Sequence, residues 1–414
     1  MTTTAPRSMA RLYWLTLGTF AIGTEGFMIA PLLPDLARDL SVSLASAGQL
    51  VTVFALTYAL SSPVLTALTG EIDRRRLLIA SMLAFAAANF VAWSAHSYPA
   101  LLTARILLAI AAGLYVPNAN ALGSAIVETS RRGTALSIVT GGTSVAVALG
   151  VPLGALVGDR FGWRLNFAAV GALALIATAG LLAGLPRDIG GRLPVASLRE
   201  RLDVARQPAV LLALLSTMLW ATGAFTVYTY LASFLARAAG IVGSSVSAVL
   251  FTWGVAAVIG LRLGGRLNDR FGHLPVIVAS LLLLALAFLS LSTSAVVLPR
   301  TAAPAPILLA IVVWGVSAWS FFPAQQARLI SIVGVKVALP ATLKYENQLI
   351  VAEGDYVIAH GRFSGNGRPA AWVAADIIRI EDGRLAEHWD VLQDEATKAQ
   401  SLSGLPMFGD RFPD

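Results

Sequence analysis

The stretch Gly70-Glu71-Ile72-Asp73-Arg74-Arg75-Arg76 sets two acids and three arginines between two apolar runs, each long enough to cross a bilayer. A second version, Gly265-Arg266-Leu267-Asn268-Asp269-Arg270-Phe271-Gly272-His273, stands between two more such runs. A basic turn between apolar helices, used twice in the same setting, indicates a membrane fold built from internal repeats. Followed outward from these turns, the pattern holds to about residue 330 and then stops.

The 414-residue chain is 57% hydrophobic and 13% charged, whereas soluble domains are about a quarter charged. It reads as a multi-pass membrane protein. The net charge of +7 gathers in gaps beside apolar segments and in the last part of the chain. Topogenic charge is distributed this way and a nucleic-acid-binding face is not, so no nucleic-acid partner is expected. The absence of cysteine excludes disulfides, thiolate zinc sites and cysteine nucleophiles. The polar segment Met1–Arg11 carries two arginines, and no small-residue cleavage site follows a short apolar core. It reads as a tail ahead of a first spanning helix.

Apolar runs of about twenty residues fall near 12–34, 46–69, 77–96, 99–126, 134–157, 165–185, 208–235, 244–264, 275–297 and 305–325, about ten in all. Alternate gaps hold Arg74, Arg75 and Arg76, then Arg131 and Arg132, then Arg187, Arg192, Arg199, Arg201 and Arg206, then Arg266, Arg270 and His273. The other gaps are short or mixed, as at Asp35, Arg38 and Asp39. This bias places the N-terminus in the cytoplasm, and an even number of spans places the C-terminus there too, in a cell (inner) membrane. The expected domains are a six-helix half at 1–186, a cytoplasmic linker at 187–207, a second half of about four helices at 208–333, and a different segment at 334–414.

That last segment alternates apolar and polar residues. Gln348–Ala352 and Tyr356–His360 flank the turn Glu353-Gly354-Asp355, and Trp372–Ile380 and Arg384–Leu392 flank Glu381-Asp382-Gly383. Acidic-glycine turns between β-rich runs signal hairpins. The tail from Asp394 to Asp414 reads as loose.

Two ionisable residues stand inside apolar spans. Glu25 is the only acid deep in one, and a carboxyl there can bind and release a proton as access alternates. The alternative is a neutral acid hydrogen-bonded to a neighbouring helix. Arg105 lies within the fourth span, where a guanidinium needs a partner or water; the alternative is snorkelling to the nearby interface. Gly142, Gly150, Pro152 and Gly154 make a small-residue face in the fifth span that allows close helix approach and bending, or simply ordinary packing. Trp163-Arg164 with Phe167 reads as an interfacial anchor. Asn118, Asn120, Trp220, Tyr228, Tyr230, Trp253 and Trp314 are polar or aromatic residues of central spans that line a path or pack.

With Gly265, Asp269, Arg270 and Gly272 at their spacing, residues 12–330 resemble the major facilitator superfamily, and within it the proton-driven efflux antiporters of bacteria. The first copy departs from the pattern, since Gly70 is three residues before Asp73 and Thr69 occupies the glycine slot. The resemblance implies gating roles for Asp73, Arg74, Gly265, Asp269 and Arg270, proton coupling at Glu25 and Arg105, and an antiporter helix at Gly150, Pro152 and Gly154. Asn118, Asn120, Trp220 and Tyr228 are the candidates for substrate contact. It further implies a monomer in a lipid bilayer with a small organic molecule and protons as partners, and no cofactor or metal. The run Val351–Asp355, then Asp376–Gly383 and Glu387-His388-Trp389-Asp390, resembles polyketide-cyclase-like members of the nuclear-transport-factor-2 superfamily, with Asp376 and His388 as weak catalytic candidates.

The fold class expected is therefore an all-α multi-pass membrane protein of major facilitator type, about ten helices with the last two missing, joined to a small partial α+β segment of antiparallel strands. The leading function is proton-coupled efflux of drugs or sugars, and not an enzyme. A truncated or fused product with little transport, and a membrane-tethered lyase or isomerase, stand as alternatives.

Overall fold

Within a bilayer every backbone N–H and C=O must find a partner inside the chain, so uninterrupted apolar runs become helices. The computed structural model describes residues 5–127, 131–186, 198–334, 342–365, 370–381 and 384–412, and within them not the side chains of 5–10, 132–133, 333–334, 384–386 and 388. Arg187, Arg192, Asp382, Gly383 and the His388 side chain, all named above, lie outside what is described. Contacts divide the chain into two units, Met1–Ile330 and Ser331–Asp414.

The helices are α1 (Ala5–Asp39), α2 (Leu44–Leu68), α3 (Arg74–Trp93), α4 (Tyr98–Ala125), α5 (Arg132–Val145), a π segment (Ala146–Gly150), α6 (Val151–Phe161), α7 (Trp163–Gly184), α8 (Leu198–Ala205), α9 (Pro208–Thr229), α10 (Leu231–Ala238), α11 (Ser244–Phe271), α12 (His273–Val297) and α13 (Pro304–Gly334). Among the described residues ten spans are long and apolar enough to cross a membrane, α5 to α6 counting as one.

Several boundaries differ from expectation, each for a local reason. The gap foreseen at Asp35, Arg38 and Asp39 is the last turn of α1, where Arg38 pairs with Asp35 at 3.1 Å. The seventh span is shorter than 208–235, because the chain turns at Tyr230 and restarts as α10. The linker carries α8. The second basic turn is a loop only at its end. Gly265, Asp269 and Arg270 lie inside α11, and the reversal is made by Gly272 alone, at φ 77°. Its N–H closes on the Asn268 carbonyl at 2.8 Å, a helix stop that a residue with a Cβ makes only under strain.

The first basic turn is a loop. α2 ends at Leu68, Ile72 N–H bonds to Thr69 O at 3.0 Å, and the Asp73 carboxylate accepts the Arg76 N–H at 2.9 Å, capping α3.

Pro152 explains the π segment. It has no N–H for the carbonyl four residues back, and its ring presses on that turn. The helix widens instead, and the Val151 N–H reaches back to Ala146 O.

Two large cores and a small third cluster around Val276, Ile277, Phe321 and Ala324 hold the helical unit. The first is built from α1–α5 and α7 around Phe85, Tyr115 and Phe167. The second surrounds Tyr228, Trp253 and Trp314, and takes in Ala30, Val147, Val151 and Ala155 from the first half. Backbones touch where side chains are absent. A methyl added at Gly254 would lie 2.7 Å from the Ala148 Cα, and one at Gly260 would lie 2.2 Å from the Val316 carbonyl oxygen.

The second unit contains β1 (Lys344–Glu353), β2 (Tyr356–Ser364), β3 (Trp372–Glu381) and β4 (Arg384–Asp394), a four-stranded antiparallel sheet in chain order. Glu353 pairs with Tyr356 across Gly354, at φ 56°, which gives the expected hairpin. No helix is present among the described residues of 342–412, and every residue of β1 is exposed.

Gly260→Ala lowers the thermal midpoint of the purified protein by the equivalent of about 1–3 kcal/mol. Gly265→Ala, whose Cβ meets open space, stays within about 0.5 kcal/mol. Asp73→Ala costs about 1 kcal/mol of cap energy and Asp73→Asn restores most of it in the same melting assay; equal loss in both would show that the cap is not what Asp73 supplies.

Candidate functional site

Helix α1 carries Glu25 into the first core, and α4 carries Arg105 to the same depth; neither side chain is exposed to solvent. Arg105 Nη1 donates to Glu25 Oε1. Arg105 Nε donates to the Leu50 carbonyl of α2 at 3.2 Å, and its guanidinium carbon sits 4.2 Å from the centre of the Phe54 ring. Three helices therefore converge on one ion pair. Glu25 Oε2 and Arg105 Nη2 have no hydrogen-bond partner. Arg105 turns inward and does not snorkel.

The small-residue face of α5, the π segment and α6 packs along α1. A methyl at Gly142 or Gly150 would lie 2.2 Å from the Thr19 or Thr24 hydroxyl oxygen, and one at Gly154 would lie 3.1 Å from Met28 Cβ. Pro152 is buried in the same stretch. In return, Thr19 donates to Val139 O at 2.6 Å and Thr16 donates to Ile138 O at 2.9 Å. The helix that holds Glu25 is thus seated on the glycine and proline positions.

At the first basic turn two of the three arginines, Arg74 and Arg75, have partners in other helices. Arg74 is buried, and its Nη1 donates to Asn118 Oδ1 of α4 at 2.7 Å. Arg75 donates from Nε to Leu185 O and from Nη2 to Leu182 O, both at 2.8 Å, closing the end of α7. Asn118 thereby serves as the Arg74 acceptor, where the sequence suggested a cavity lining; Asn120 is half-buried with Oδ1 unpartnered. At the second turn Arg270 lies over the Phe271 ring at 5.1 Å. The copy that matches the family pattern less well is the one wired into its neighbours.

Trp220, Tyr228, Trp253 and Trp314 form an aromatic cluster of α9, α11 and α13. Trp220 stacks on Phe321 at 5.1 Å, Tyr228 lies 4.9 Å from Trp253, and Trp253 lies 5.3 Å from Trp314. The indole N–H groups of Trp220, Trp253 and Trp314 have no acceptor. The Tyr228 hydroxyl donates to the Phe27 carbonyl of α1 at 3.0 Å. Near the end of α1, Asp39 accepts from Trp163 Nε1 at 3.0 Å and from Arg164, so the expected anchor has an acidic partner that the sequence did not single out. A cleft of about 550 Å³ opens at that end, lined by Asp35, Arg38, Asp159 and Arg237 among others.

In the sheet, Asp376 is buried opposite Ala359 and Asp390, and burial together with the Asp376 carboxylate pushes the Tyr345 phenol up. The strand register sets His388 opposite Ile378. Arg362 donates to Glu395 Oε2 from two nitrogens, at 2.8 and 2.7 Å.

Comparison with known proteins follows the same division. The Major Facilitator Superfamily model matches residues 15–338 and a SnoaL-like domain model matches 335–388. The uncharacterized MFS-type transporter YbcL of Bacillus subtilis (strain 168) is 34% identical over 324 residues, 78% of this chain and 80% of that protein. The chloramphenicol resistance protein of Streptomyces lividans is 36% identical, covering 66% of this chain and 70% of its own length. The inner membrane transport protein YdhP of Escherichia coli (strain K12) is 31% identical, covering 84% and 88%. Among solved structures, a bacterial homolog of the human lysosomal transporter Spinster in an inward-facing, unoccupied conformation has a TM-score of 0.62 at 19% identity, covering 80% of this chain and 79% of that one. The nucleoside transporter NupG gives 0.63 at 13%, covering 78% and 87%. With ten membrane-spanning candidates among the described residues, a family match over 15–338 and a transporter relative matched over 80% of its length, this chain belongs to the Major Facilitator Superfamily and is a transmembrane transporter with a SnoaL-like segment toward its C-terminal end.

Proposed function

We propose that the chain is a proton-coupled exporter of small organic molecules, working in the inner membrane with both termini in the cytoplasm. The observation that carries this reading is the buried Glu25–Arg105 pair. A guanidinium and a carboxylate removed from water are stable only together, and taking away one charge costs about 3–5 kcal/mol. Protonation of Glu25 removes one charge. Arg105 then keeps only Leu50 O and the Phe54 ring, so a state in which it reaches water or a substrate gains population. The unpartnered Glu25 Oε2 and Arg105 Nη2 are the atoms that would take a proton and a polar substrate group. Rocking of the halves would expose the pair to one side and then the other, exchanging a proton for the substrate.

Chloramphenicol is the first substrate to test, because the 36% identical Streptomyces lividans protein is named for resistance to it. A second reading, little or no transport, draws on burial. Only 11% of the α2 apolar window and 17% of that of α9 are buried, against 33–67% in the other spans, so these two spans lack the helix contacts that the others have.

In inverted vesicles with an imposed pH gradient, chloramphenicol should dissipate the gradient with the parent protein. Glu25→Gln should lose at least about 90% of that rate, as removal of a proton-carrying group does. Full transport by Glu25→Gln contradicts proton coupling, and no transport by a folded parent protein with any drug or sugar tried favours the second reading. Arg105→Ala should lower the thermal midpoint, and Arg105→Ala combined with Glu25→Gln should recover part of the loss, because the lone buried carboxylate is gone.

A further inference from the structure

Pro31 stands inside α1 and has no N–H to offer the carbonyl four residues back. That carbonyl belongs to Phe27. Its vacant place is taken from the other half of the molecule, since the Tyr228 hydroxyl of α9 donates to Phe27 O at 3.0 Å. The chain uses the same chemistry inside the first half. Pro117 of α4 frees the Gly113 carbonyl, and Ser62 of α2 donates to it at 2.9 Å. The two bonds differ in what they join, because the Ser62 bond stays within one half and the Tyr228 bond crosses between halves.

The surroundings make the crossing bond specific. Tyr228 is 4% exposed, meets the Phe27 ring edge-on at 5.9 Å and lies 4.9 Å from Trp253. Phe225 packs on Phe27 at 5.8 Å. Ala30, one turn further along α1, is 2% exposed and belongs to the core of the second half. Gly48 of α2 lies close beneath the Tyr230 hydroxyl, so its lack of a side chain admits the same end of α9. Water is excluded from this patch while the halves touch, and a carbonyl without its helical donor must then be satisfied by Tyr228.

We propose that Tyr228 is a positioning residue for transport: its bond to the carbonyl released by Pro31 latches the halves together at the end where α1 gives way to α2, and breaks each time that end opens. The latch sits two residues from Glu25 on the same helix, so movement of α1 and release of the bond are one event. The proposal rests on the family's two-half architecture and not on Glu25 being the proton carrier, so the two fail separately.

The test uses the natural absence of cysteine. Ala30→Cys is introduced into the full chain and its labelling by a hydrophilic maleimide is timed in detergent. Tyr228→Phe keeps the ring and removes only the hydroxyl, and should speed labelling about fivefold, the change one neutral hydrogen bond makes in an equilibrium. Ser62→Ala should leave the rate unchanged. Pro31→Ala gives Phe27 O a helical donor and should also speed labelling, and the double variant should be no faster than the faster single one. An unchanged rate in Tyr228→Phe, or effects of Tyr228→Phe and Pro31→Ala that multiply, overturns the latch.

Discussion

A guanidinium and a carboxyl group in contact with each other, both without solvent contact, constrain everything around them. Arg105 and Glu25 come from helices eighty residues apart in sequence and are tolerable in a bilayer only as a pair. That requirement fixes the depth of α1 against α4. The Leu50 carbonyl and the Phe54 ring then bring α2 to the same point. Few apolar contacts specify a register as sharply, because a slip of one turn would strand both charges in hydrocarbon.

Helix α1 is accordingly the element through which the unit communicates. One face holds Glu25, another rides on Gly142, Gly150 and Gly154, and its later turns enter the core of the second half through Ala30. Its prolines leave carbonyls open to partners from other helices, and Tyr228 uses one of them. A change in the charge at residue 25 would therefore be felt along the glycine face, at the contact between halves and at Arg105 together. The basic turn that caps α3 and ties Arg74 to Asn118 and Arg75 to the end of α7 holds the opposite end of the first half.

Much of this was legible in the sequence, for identifiable reasons. Span number follows from hydropathy, because a bilayer leaves the backbone no alternative. The hairpin at Glu353-Gly354-Asp355 follows from turn chemistry. Glu25 and Arg105 could each be singled out as charges in the wrong solvent, but not as partners, since their meeting depends on how α1 docks on α4. Asn118 and Tyr228 were legible as polar residues in apolar helices. That Asn118 accepts from Arg74, and that Tyr228 serves a carbonyl freed by Pro31, required the arrangement of helices. The second basic turn misled for a simpler reason. Charges at 266–270 look like a loop, yet arginines at a helix end reach the interface without breaking the helix, and Gly272 alone makes the reversal.

If substrate and proton compete through the Glu25–Arg105 pair, occupancy by one displaces the other. Proton release on substrate binding tests it most directly. Purified protein is placed in weakly buffered solution with a pH dye and mixed with chloramphenicol, or with whichever compound is transported. The account predicts that binding displaces a proton from the parent protein and none from Glu25→Gln, while both still bind. Equal proton release from the two proteins would contradict it.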